Sequence, residues 1–176
     1  MHPGEIETLV TLVDGIKPRG MIEIGCNSGR TAKAILRNVV GIERYVGIDV
    51  PASYVTGKQV QRREVMESPG QLALDDPRFR LLVARRGSLD LQVADLPACD
   101  CVFIDGDHSR EAVLHDYGLA RRIVRPGGLI VFHDDHGDPV VDVSAVLDEL
   151  ADDEGADIRH VTGTWLAFER VRSTGL

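Results

Sequence analysis

An apolar strand runs directly into a group of acids and imidazoles near the C-terminal end of the sequence. Residues 127–138 read GGLIVFHDDHGD, so the apolar run 129–132 is followed at once by His133, Asp134 and Asp135. Two carboxylates ~4 Å apart repel each other by roughly 1 kcal/mol in water and about 4 kcal/mol at an effective dielectric constant near 20. A hard cation such as Mg²⁺ converts that repulsion into attraction. The pattern therefore predicts that a positively charged partner is held there.

A second acidic segment, VFIDGDHS at residues 102–109, ends the preceding apolar run. If the two strands are neighbours, their backbones lie ~4.8 Å apart, and Asp105 and Asp134 project from the same edge of the sheet. His108 is the first candidate for a general base, because imidazole titrates near neutral pH, and His133 is the second. The same acids could instead cap a helix or shape a pocket without a metal, and this alternative stays open.

The elements that must position these residues follow the order of crossover units around a parallel sheet. Strands are predicted at residues 21–25, 44–50, 78–85, 100–105 and 128–134. Helices are predicted at 29–40, 109–124 and 139–155, the last beginning at Pro139 because proline is favoured in a first turn. Residues 157–171 alternate in character and predict an antiparallel hairpin with a tight turn at Gly163 and Thr164.

The bulk properties limit the class of protein. The 176 residues fit one domain, and the net charge of −8 disfavours nucleic acid and an anionic membrane surface as partners. No stretch is long enough to span a bilayer and no signal pattern opens the chain, so a cytoplasmic protein without a membrane partner is expected. Of the three cysteines, Cys99 and Cys101 are predicted to be buried thiols on the same face of the fourth strand.

The first strand leads into a helix through EIGCNSGRT at residues 23–31. Ligands of open α/β sheets bind beyond the carboxyl ends of the strands. Gly25 allows the backbone to approach a ligand closely, and Asn27 tolerates a positive φ. The pyrophosphate fingerprint GxGxxG is not satisfied, because Asn27 and Arg30 stand where its second and third glycines would be. A nicotinamide dinucleotide is therefore disfavoured as the ligand.

Two later segments predict a nucleoside instead. Asp49 ends the second strand, where a carboxylate can accept both hydroxyls of a ribose. The segment GSLDL at 87–91 follows the third strand and places Gly87 and Ser88 to touch a purine ring. A glycine-containing loop, an acid and a further loop in this order predict a nucleoside ligand that does not require phosphates.

These segments resemble the class I S-adenosylmethionine-dependent methyltransferases, in particular the small-metabolite branch that includes macrocin O-methyltransferase and the cephalosporin hydroxylase-like proteins. The resemblance covers residues 21–170 and rests on MIEIGCNSGRTA, YVGIDV, VFIDGDHSREAVLHDY and RPGGLIVFHDD. It implies a single methyltransferase domain over residues 1–176. It also implies an α/β, three-layer, doubly wound Rossmann-like fold, whose mostly parallel seven-stranded sheet ends in an antiparallel hairpin.

The resemblance further implies the site residues. S-adenosylmethionine would be bound by Glu23, Gly25, Asn27, Ser28, Gly29, Asp49, Gly87, Ser88 and Asp105. Metal-dependent relatives use one acid after the fourth strand and two adjacent acids after the fifth, which implies that Asp105, Asp134 and Asp135 hold Mg²⁺ or another divalent cation. His108 and His133 remain the catalytic candidates, whereas His115, His136 and His160 are expected to be exposed or helix-face residues and Trp165 to belong to the core.

The implied activity is O-methylation of a small hydroxylated metabolite, such as a sugar or a natural product. Two alternatives stay open: a metal-free enzyme that uses His108 or His133 alone, and a non-catalytic S-adenosylmethionine-binding module that supports a partner subunit. Relatives often carry a substantial N-terminal extension, whereas about twenty residues precede the first strand here. The site is therefore expected to be open, covered by residues 51–77, or covered by a neighbouring subunit, which includes a homo-oligomer.

Overall fold

The computed structural model describes residues 3–57, 62–153 and 155–172. The strands are β1 Gly20–Ile24, β2 Arg44–Asp49, β3 Phe79–Val83, β4 Cys99–Ile104, β5 Val124–Phe132, β6 Ile158–His160 and β7 Ala167–Arg170. The α-helices are α1 Pro3–Ile16, α2 Arg30–Asn38, α3 Arg110–Ile123 and α4 Val143–Asp153, and short 3₁₀ turns occur at Arg62–Glu64, Gly87–Asp90 and Val93–Asp95. All seven predicted strands are present.

The strands form one seven-stranded sheet in the order β3-β2-β1-β4-β5-β7-β6. Strands β1 to β5 pair in parallel, and β7 pairs antiparallel with both β5 and β6. This confirms the predicted mostly parallel sheet with an antiparallel end. The strand order reverses direction between β1 and β4, and such a switch point opens a crevice beyond the carboxyl ends of the strands. The acidic segments after β4 and β5 lie at this edge.

Helices cover both faces of the sheet, which gives the predicted three layers. Because side chains alternate along a strand, Met21 and Ile22 face opposite ways. Met21 belongs to a core cluster with Leu9 of α1 and Ile35 of α2. Ile22 belongs to a second cluster with residues of α3 and α4, including Val113. The loops at the carboxyl edge are therefore supported by a buried core on each side.

The N-terminal helix α1 is an element that the sequence analysis does not predict. Its Leu9 and Val13 are fully buried, and Glu5 in its first turn is only 3% exposed. The helix packs against α2 and β5. It thus reaches the strand that His133 directly follows, so the residues before β1 take part in building the site edge.

The region after β5 also differs from the prediction. The helix begins at Val143 rather than Pro139. Asp138 accepts a hydrogen bond from the backbone N–H of Val140 at 2.9 Å, and the backbone N–H of Asp142 donates to the carbonyl oxygen of His108 at 3.0 Å. These bonds hold residues 138–142 in turns, so the helix begins only after them, at Val143.

The hairpin is present, but its turn is wider than predicted. Strands β6 and β7 are separated by residues 161–166, and the backbone N–H of Val161 donates to the carbonyl oxygen of Leu166. The hydroxyl of Thr164 donates to the carbonyl oxygen of Val161 at 2.7 Å and helps to hold the turn. The longer connection places Trp165 at the carboxyl edge of the sheet rather than in a strand.

The two cysteines of β4 are buried as predicted, but the prediction that they share a face is wrong. Cys99 belongs to the core cluster on the α3 side and Cys101 to the cluster on the α1 side. A register shift between Cys99 and Cys101 interrupts the alternation of side chains in the pairing with β5.

No helix in the described ranges is long and apolar enough to cross a membrane.

Candidate active site

A cavity of about 510 Å³ lies at the carboxyl edge of the sheet, within the ~300–1,000 Å³ typical of small-molecule sites. It is bounded by the loops that follow all five parallel strands. Of the residues predicted for the site, those that line it are Gly25, Asn27, Ser28, Asp49, Gly87, Ser88, Asp105, His108, His133 and Asp134. One continuous space therefore joins the predicted cofactor loops to the predicted catalytic residues.

The loop after β1 approaches the loop after β4 too closely for a side chain. Gly25 has a φ of +85°, and a Cβ atom there would lie 2.1 Å from the carbonyl oxygen of Asp105. Asn27 has a φ of +47°, as the sequence suggests. Its backbone N–H donates to the Oδ2 atom of Asp49 at 2.6 Å. The glycine and the asparagine together allow the loop to turn beside the end of β2 and leave the cavity open.

Asp49 is held rigidly at the end of β2. Its Oδ1 atom accepts the backbone N–H of Val50 at 2.7 Å, and its Oδ2 atom accepts that of Asn27. The residue is only 9% exposed. Burial raises the pKa of Asp49 above its ordinary value, although the two backbone bonds oppose the change. A carboxylate oxygen has two lone pairs, so both oxygens can still accept a hydroxyl from a ligand.

The turn after β3 forms another wall. Gly87 has a φ of +62° and begins the short turn Gly87–Asp90, in which both Gly87 and Ser88 are buried. The carbonyl oxygen of Ser88 lies 2.9 Å from the Nε2 atom of His115 on α3. The prediction that His115 is merely a helix-face residue is therefore incomplete, because the imidazole holds a loop that lines the cavity.

The acidic segments after β4 and β5 meet as predicted. Single ligand atoms of Asp105, His108 and Asp134 all lie within 4.8 Å of one another. The Nε2 atom of His108 is 3.0 Å from the Oδ2 atom of Asp134. Asp134 itself has a φ of +62°, a left-handed conformation that acids adopt more readily than most residues. We refer to Asp105, His108 and Asp134 as the carboxylate–imidazole cluster.

His133 lies against this cluster from the interior. Its Nδ1 atom is 3.1 Å from the Oδ1 atom of Asp105 and 3.0 Å from the Oδ2 atom of Asp134, and its side chain is only 4% exposed. Burial disfavours the charged imidazole, but the two carboxylates outweigh it and raise the pKa of His133 to about 10. The two carboxylates therefore favour the protonated form of His133.

The histidines and the acids shift one another's pKa values. Burial alone would raise the pKa of Asp134, but hydrogen bonding to His108 and His133 holds it well below its usual range. Burial opposes protonation of His108, yet Asp134 raises the pKa of His108 above its ordinary value. Such strongly perturbed groups in a cavity are typical of functional sites.

The N-terminal helix completes this part of the site. The Oε1 atom of Glu5 accepts the backbone N–H of Trp165 at 2.8 Å, and its Oε2 atom is 3.5 Å from the Nε2 atom of His133. Trp165 is 38% exposed and lines the cavity. Its ring centroid lies 4.3 Å from that of His136. The expectation that Trp165 is a core residue is therefore wrong, and His136 is packed on an aromatic ring rather than exposed.

Three residues predicted for the site do not line the cavity. Glu23 is 1% exposed on the α1 side of the sheet, where it accepts a hydrogen bond from the Tyr45 hydroxyl at 2.9 Å. Gly29 turns the chain into α2 and lies against Gly70, whose carbonyl oxygen would be 2.8 Å from a Cβ at position 29. Asp135 is not brought into the cluster among the described residues, because its carboxylate pairs with the Nδ1 atom of His160 at 3.0 Å.

Several lining residues carry no signal that the sequence analysis uses. They include Ile6, Tyr54, Val65, Arg86 and Gly106. Ile6 belongs to the unpredicted helix α1, and Tyr54 and Val65 belong to the segment between β2 and β3, which has no hydrophobic period. That segment contributes to the wall of the cavity, in line with one of the three predicted ways of covering the site. For Gly106 the sequence does contain a signal, because this glycine directly follows Asp105 in the segment IDGDH.

The shape and chemistry of the cavity fit S-adenosylmethionine. The loop at Gly25 lines the cavity beside the loop after β4, Asp49 has carboxylate oxygens that can accept hydroxyl groups, and Ser88 forms another part of the wall. The donor set also fits a divalent cation, because two carboxylates and one imidazole converge. The loops after β1, β2 and β3 and the carboxylate–imidazole cluster therefore line one cavity.

Comparison with known proteins gives the family. Residues 22–134 match the methyltransferase domain family, a range that runs from β1 to the first acid after β5. No curated protein matches the chain.

Solved structures give the same fold. A putative caffeoyl-CoA O-methyltransferase from Staphylococcus aureus superposes with a TM-score of 0.72 at 11% identity, covering 98% of this chain and 85% of that one. The O-methyltransferase TomG from Streptomyces achromogenes, in complex with SAM, gives 0.66 at 17% identity, with 98% and 82% covered. An O-methyltransferase from Bacillus cereus in complex with SAH gives 0.64 at 18% identity, with 97% and 82% covered. The chain belongs to the methyltransferase domain family, and its fold is that of the class I S-adenosylmethionine-dependent methyltransferases.

Proposed function

We propose that the protein is an S-adenosylmethionine-dependent O-methyltransferase that acts on a small hydroxylated metabolite, such as a sugar or a natural product. One observation carries the proposal: a single cavity joins Asp49, with its free acceptor capacity, to the carboxylate–imidazole cluster. The first feature suits a nucleoside donor and the second suits an acceptor whose proton must be removed. The similar structures named above as O-methyltransferases support oxygen as the acceptor atom.

The cofactor is proposed to lie along the loops after β1, β2 and β3. Gly25, Asn27 and Ser28 would face its methionine part, Asp49 would accept the ribose hydroxyls, and Gly87 with Ser88 would flank its adenine. Glu23 and Gly29 are removed from the predicted set, because the first is buried beneath the sheet and the second packs on Gly70. The bound cofactor supplies an activated methyl group on a sulfonium sulfur, so the protein has only to orient the acceptor and take its proton.

His108 is proposed as the general base. Asp134 accepts a hydrogen bond from its Nε2 atom, which leaves the Nδ1 atom to take the acceptor proton. The acceptor oxygen forms its bond to the methyl carbon as the carbon–sulfur bond breaks, and the electron pair stays on the sulfur. His133 is the weaker candidate, because a pKa of about 10 keeps its imidazole protonated at neutral pH.

Assistance by a divalent cation is a further part of the proposal. Asp105, His108 and Asp134 would hold the ion, with His108 in place of the predicted Asp135. The cation would lower the pKa of the acceptor hydroxyl. Imidazole in the ligand set favours a transition metal such as Zn²⁺ or Fe²⁺ over Mg²⁺. In that arrangement His108 is a ligand and not the base.

Methyl transfer from radiolabelled S-adenosylmethionine to a panel of phenols, sugars and hydroxylated natural products tests the function. Turnover that disappears with EDTA and returns when Zn²⁺, Fe²⁺ or Mg²⁺ is added would support the cation, whereas full turnover in EDTA would leave His108 as the base. Calorimetric binding of S-adenosylhomocysteine without turnover on any acceptor would contradict the enzyme and favour the non-catalytic module. Failure to bind S-adenosylhomocysteine at all would contradict the proposed cofactor.

A further inference from the structure

Asp116 on α3 is a buried acid that the proposed reaction does not use. It is 0% exposed. Among the residues that the structure describes, no donor lies at hydrogen-bonding distance and angle from either of its carboxyl oxygens. Burial raises the pKa of Asp116 to about 7, with Asp107 adding to the rise and the Ser88 side chain opposing it. A polar group that is buried without a partner costs stability, so its presence needs another explanation.

The carboxyl lies directly behind two residues that line the cavity. A Cβ atom built on Gly106 would be 3.7 Å from the Oδ2 atom of Asp116, with Ile24 on its other side at 3.2 Å. The second residue is Ser88, whose side chain is the group that favours the ionised form of Asp116. Both Gly106 and Ser88 face the cavity. Asp116 therefore supports the wall of the cavity from the side away from the ligand.

The neighbouring residue on α3 acts on the same turn. The Nε2 atom of His115 lies 2.9 Å from the carbonyl oxygen of Ser88, and the backbone N–H of Leu91 donates to that same oxygen. Helix α3 thus places two consecutive polar side chains, His115 and Asp116, near Ser88. Neither side chain lines the cavity. This arrangement can set the position of the turn without contact with the ligand.

We infer that Asp116 is a positioning residue for the nucleoside end of the cavity, where its carboxyl holds Ser88 and the backbone of Gly106 in the conformation that receives the adenine. The inference rests on the proposed function, because that proposal places adenine beside Ser88. It predicts that an unfavourable buried carboxyl is retained because it improves cofactor binding. Affinity and stability should then respond to its removal in opposite directions.

Asp116→Leu tests this directly, because leucine has nearly the same shape and no polar atoms. Burying a polar group without a hydrogen-bond partner costs stability, so the melting temperature should stay the same or rise when the carboxyl of Asp116 is removed. The Kd values for S-adenosylhomocysteine and adenosine, measured by calorimetry on the full chain, should nevertheless increase at least tenfold. Asp116→Asn restores a polar head group, and its Kd values should return to within threefold of wild type.

Hydrogen exchange provides a readout that needs no ligand. In the ligand-free protein, the backbone amides of residues 87–91 should exchange at least fivefold faster in Asp116→Leu than in wild type. Glu169→Gln is the matched control, since Glu169 is a buried carboxylate bonded to Tyr117, the next residue of α3, and does not line the cavity. It should lower the melting temperature while the Kd for adenosine stays within twofold of wild type.

The outcomes separate the inference from the function on which it rests. If wild type and Asp116→Leu bind adenosine within threefold of each other and exchange equally at residues 87–91, the inference is overturned while the proposed cofactor stands. A wild-type protein that binds neither ligand would overturn both. If Asp116→Leu does not fold, Asp116→Ala takes its place with the same limits for Kd and exchange.

Discussion

Asp49→Asn is the substitution that tests the cofactor site most directly. Asparagine keeps the shape of the side chain but replaces one acceptor oxygen by an NH₂ group. Both oxygens of Asp49 already accept backbone N–H groups, from Val50 at 2.7 Å and from Asn27 at 2.6 Å. A ribose diol would add one hydroxyl to each oxygen. The amide nitrogen can accept neither the backbone N–H nor the ribose hydroxyl on its side.

The expected loss follows from the number of bonds removed. A hydrogen bond to a charged group contributes about 1.5–3 kcal/mol. Because ~1.4 kcal/mol corresponds to a tenfold change in Kd, the loss of one ribose bond weakens binding roughly 10- to 150-fold. The substitution also removes a partner of the backbone N–H of Asn27 or Val50, and the resulting change in the loop would weaken every ligand. A ligand that lacks the ribose hydroxyls separates these two effects.

Competition calorimetry with adenosine and 2′,3′-dideoxyadenosine makes this separation. We expect wild type to bind adenosine at least a hundredfold more tightly than the dideoxy compound, because two hydroxyl bonds are lost. In Asp49→Asn that ratio should fall at least tenfold, because one of the two bonds is already missing, whatever the overall change in affinity. If the ratio is the same in both proteins, Asp49 does not bind the ribose and the assignment of the loops after β2 and β3 must be abandoned.

Three further predictions concern the protonation of Glu23, the backbone at Gly25 and the carboxylate–imidazole cluster. Burial raises the pKa of Glu23, so the native state binds more protons than the unfolded state, and the free energy of unfolding falls as pH rises above the unfolded pKa. Between pH 5 and 8, the melting temperature of Glu23→Gln should therefore fall less than that of wild type. Asp148→Asn, on the exposed face of α4, is the control and should behave as wild type does. Gly25→Ala should lower the free energy of unfolding, measured by urea titration, by more than the ~1–2 kcal/mol that a left-handed conformation alone costs. The extra loss is expected because the new Cβ would lie 2.1 Å from a carbonyl oxygen. Gly118→Ala, on a helix with open space around it, is the control and should be neutral or stabilising. Asp134→Ala should keep the Kd for S-adenosylhomocysteine within threefold and reduce turnover at least a hundredfold, and equal loss of both would contradict the division between cofactor and acceptor sites.

Much of the sheet is predictable because its strands have short, continuous apolar runs. β1, β2 and β4 begin and end within one residue of the predicted bounds, since each is buried by helices on both faces and therefore consists mostly of apolar residues. The meeting of Asp105 with Asp134 follows from the same argument, because neighbouring parallel strands end at one edge. These features depend on periodicity, which the sequence carries locally, and on strand order, which the resemblance to the methyltransferases implies.

The features that were not predicted depend on contacts between distant residues. The opposite faces of Cys99 and Cys101 result from a register shift against β5, and no property of the β4 sequence alone encodes it. Asp135 leaves the cluster because the hairpin brings His160 to it. Asp134 turns the chain with a positive φ, so the adjacent acid cannot point the same way. The pairing of adjacent acids is therefore decided by backbone conformation and not by spacing.

The bond between Glu5 and the backbone of Trp165 joins residues that are 160 positions apart. During synthesis, the helix that carries Glu5 must wait for almost the entire chain to emerge before this contact can form. The pocket wall beside His133 is consequently among the last parts of the molecule to be assembled.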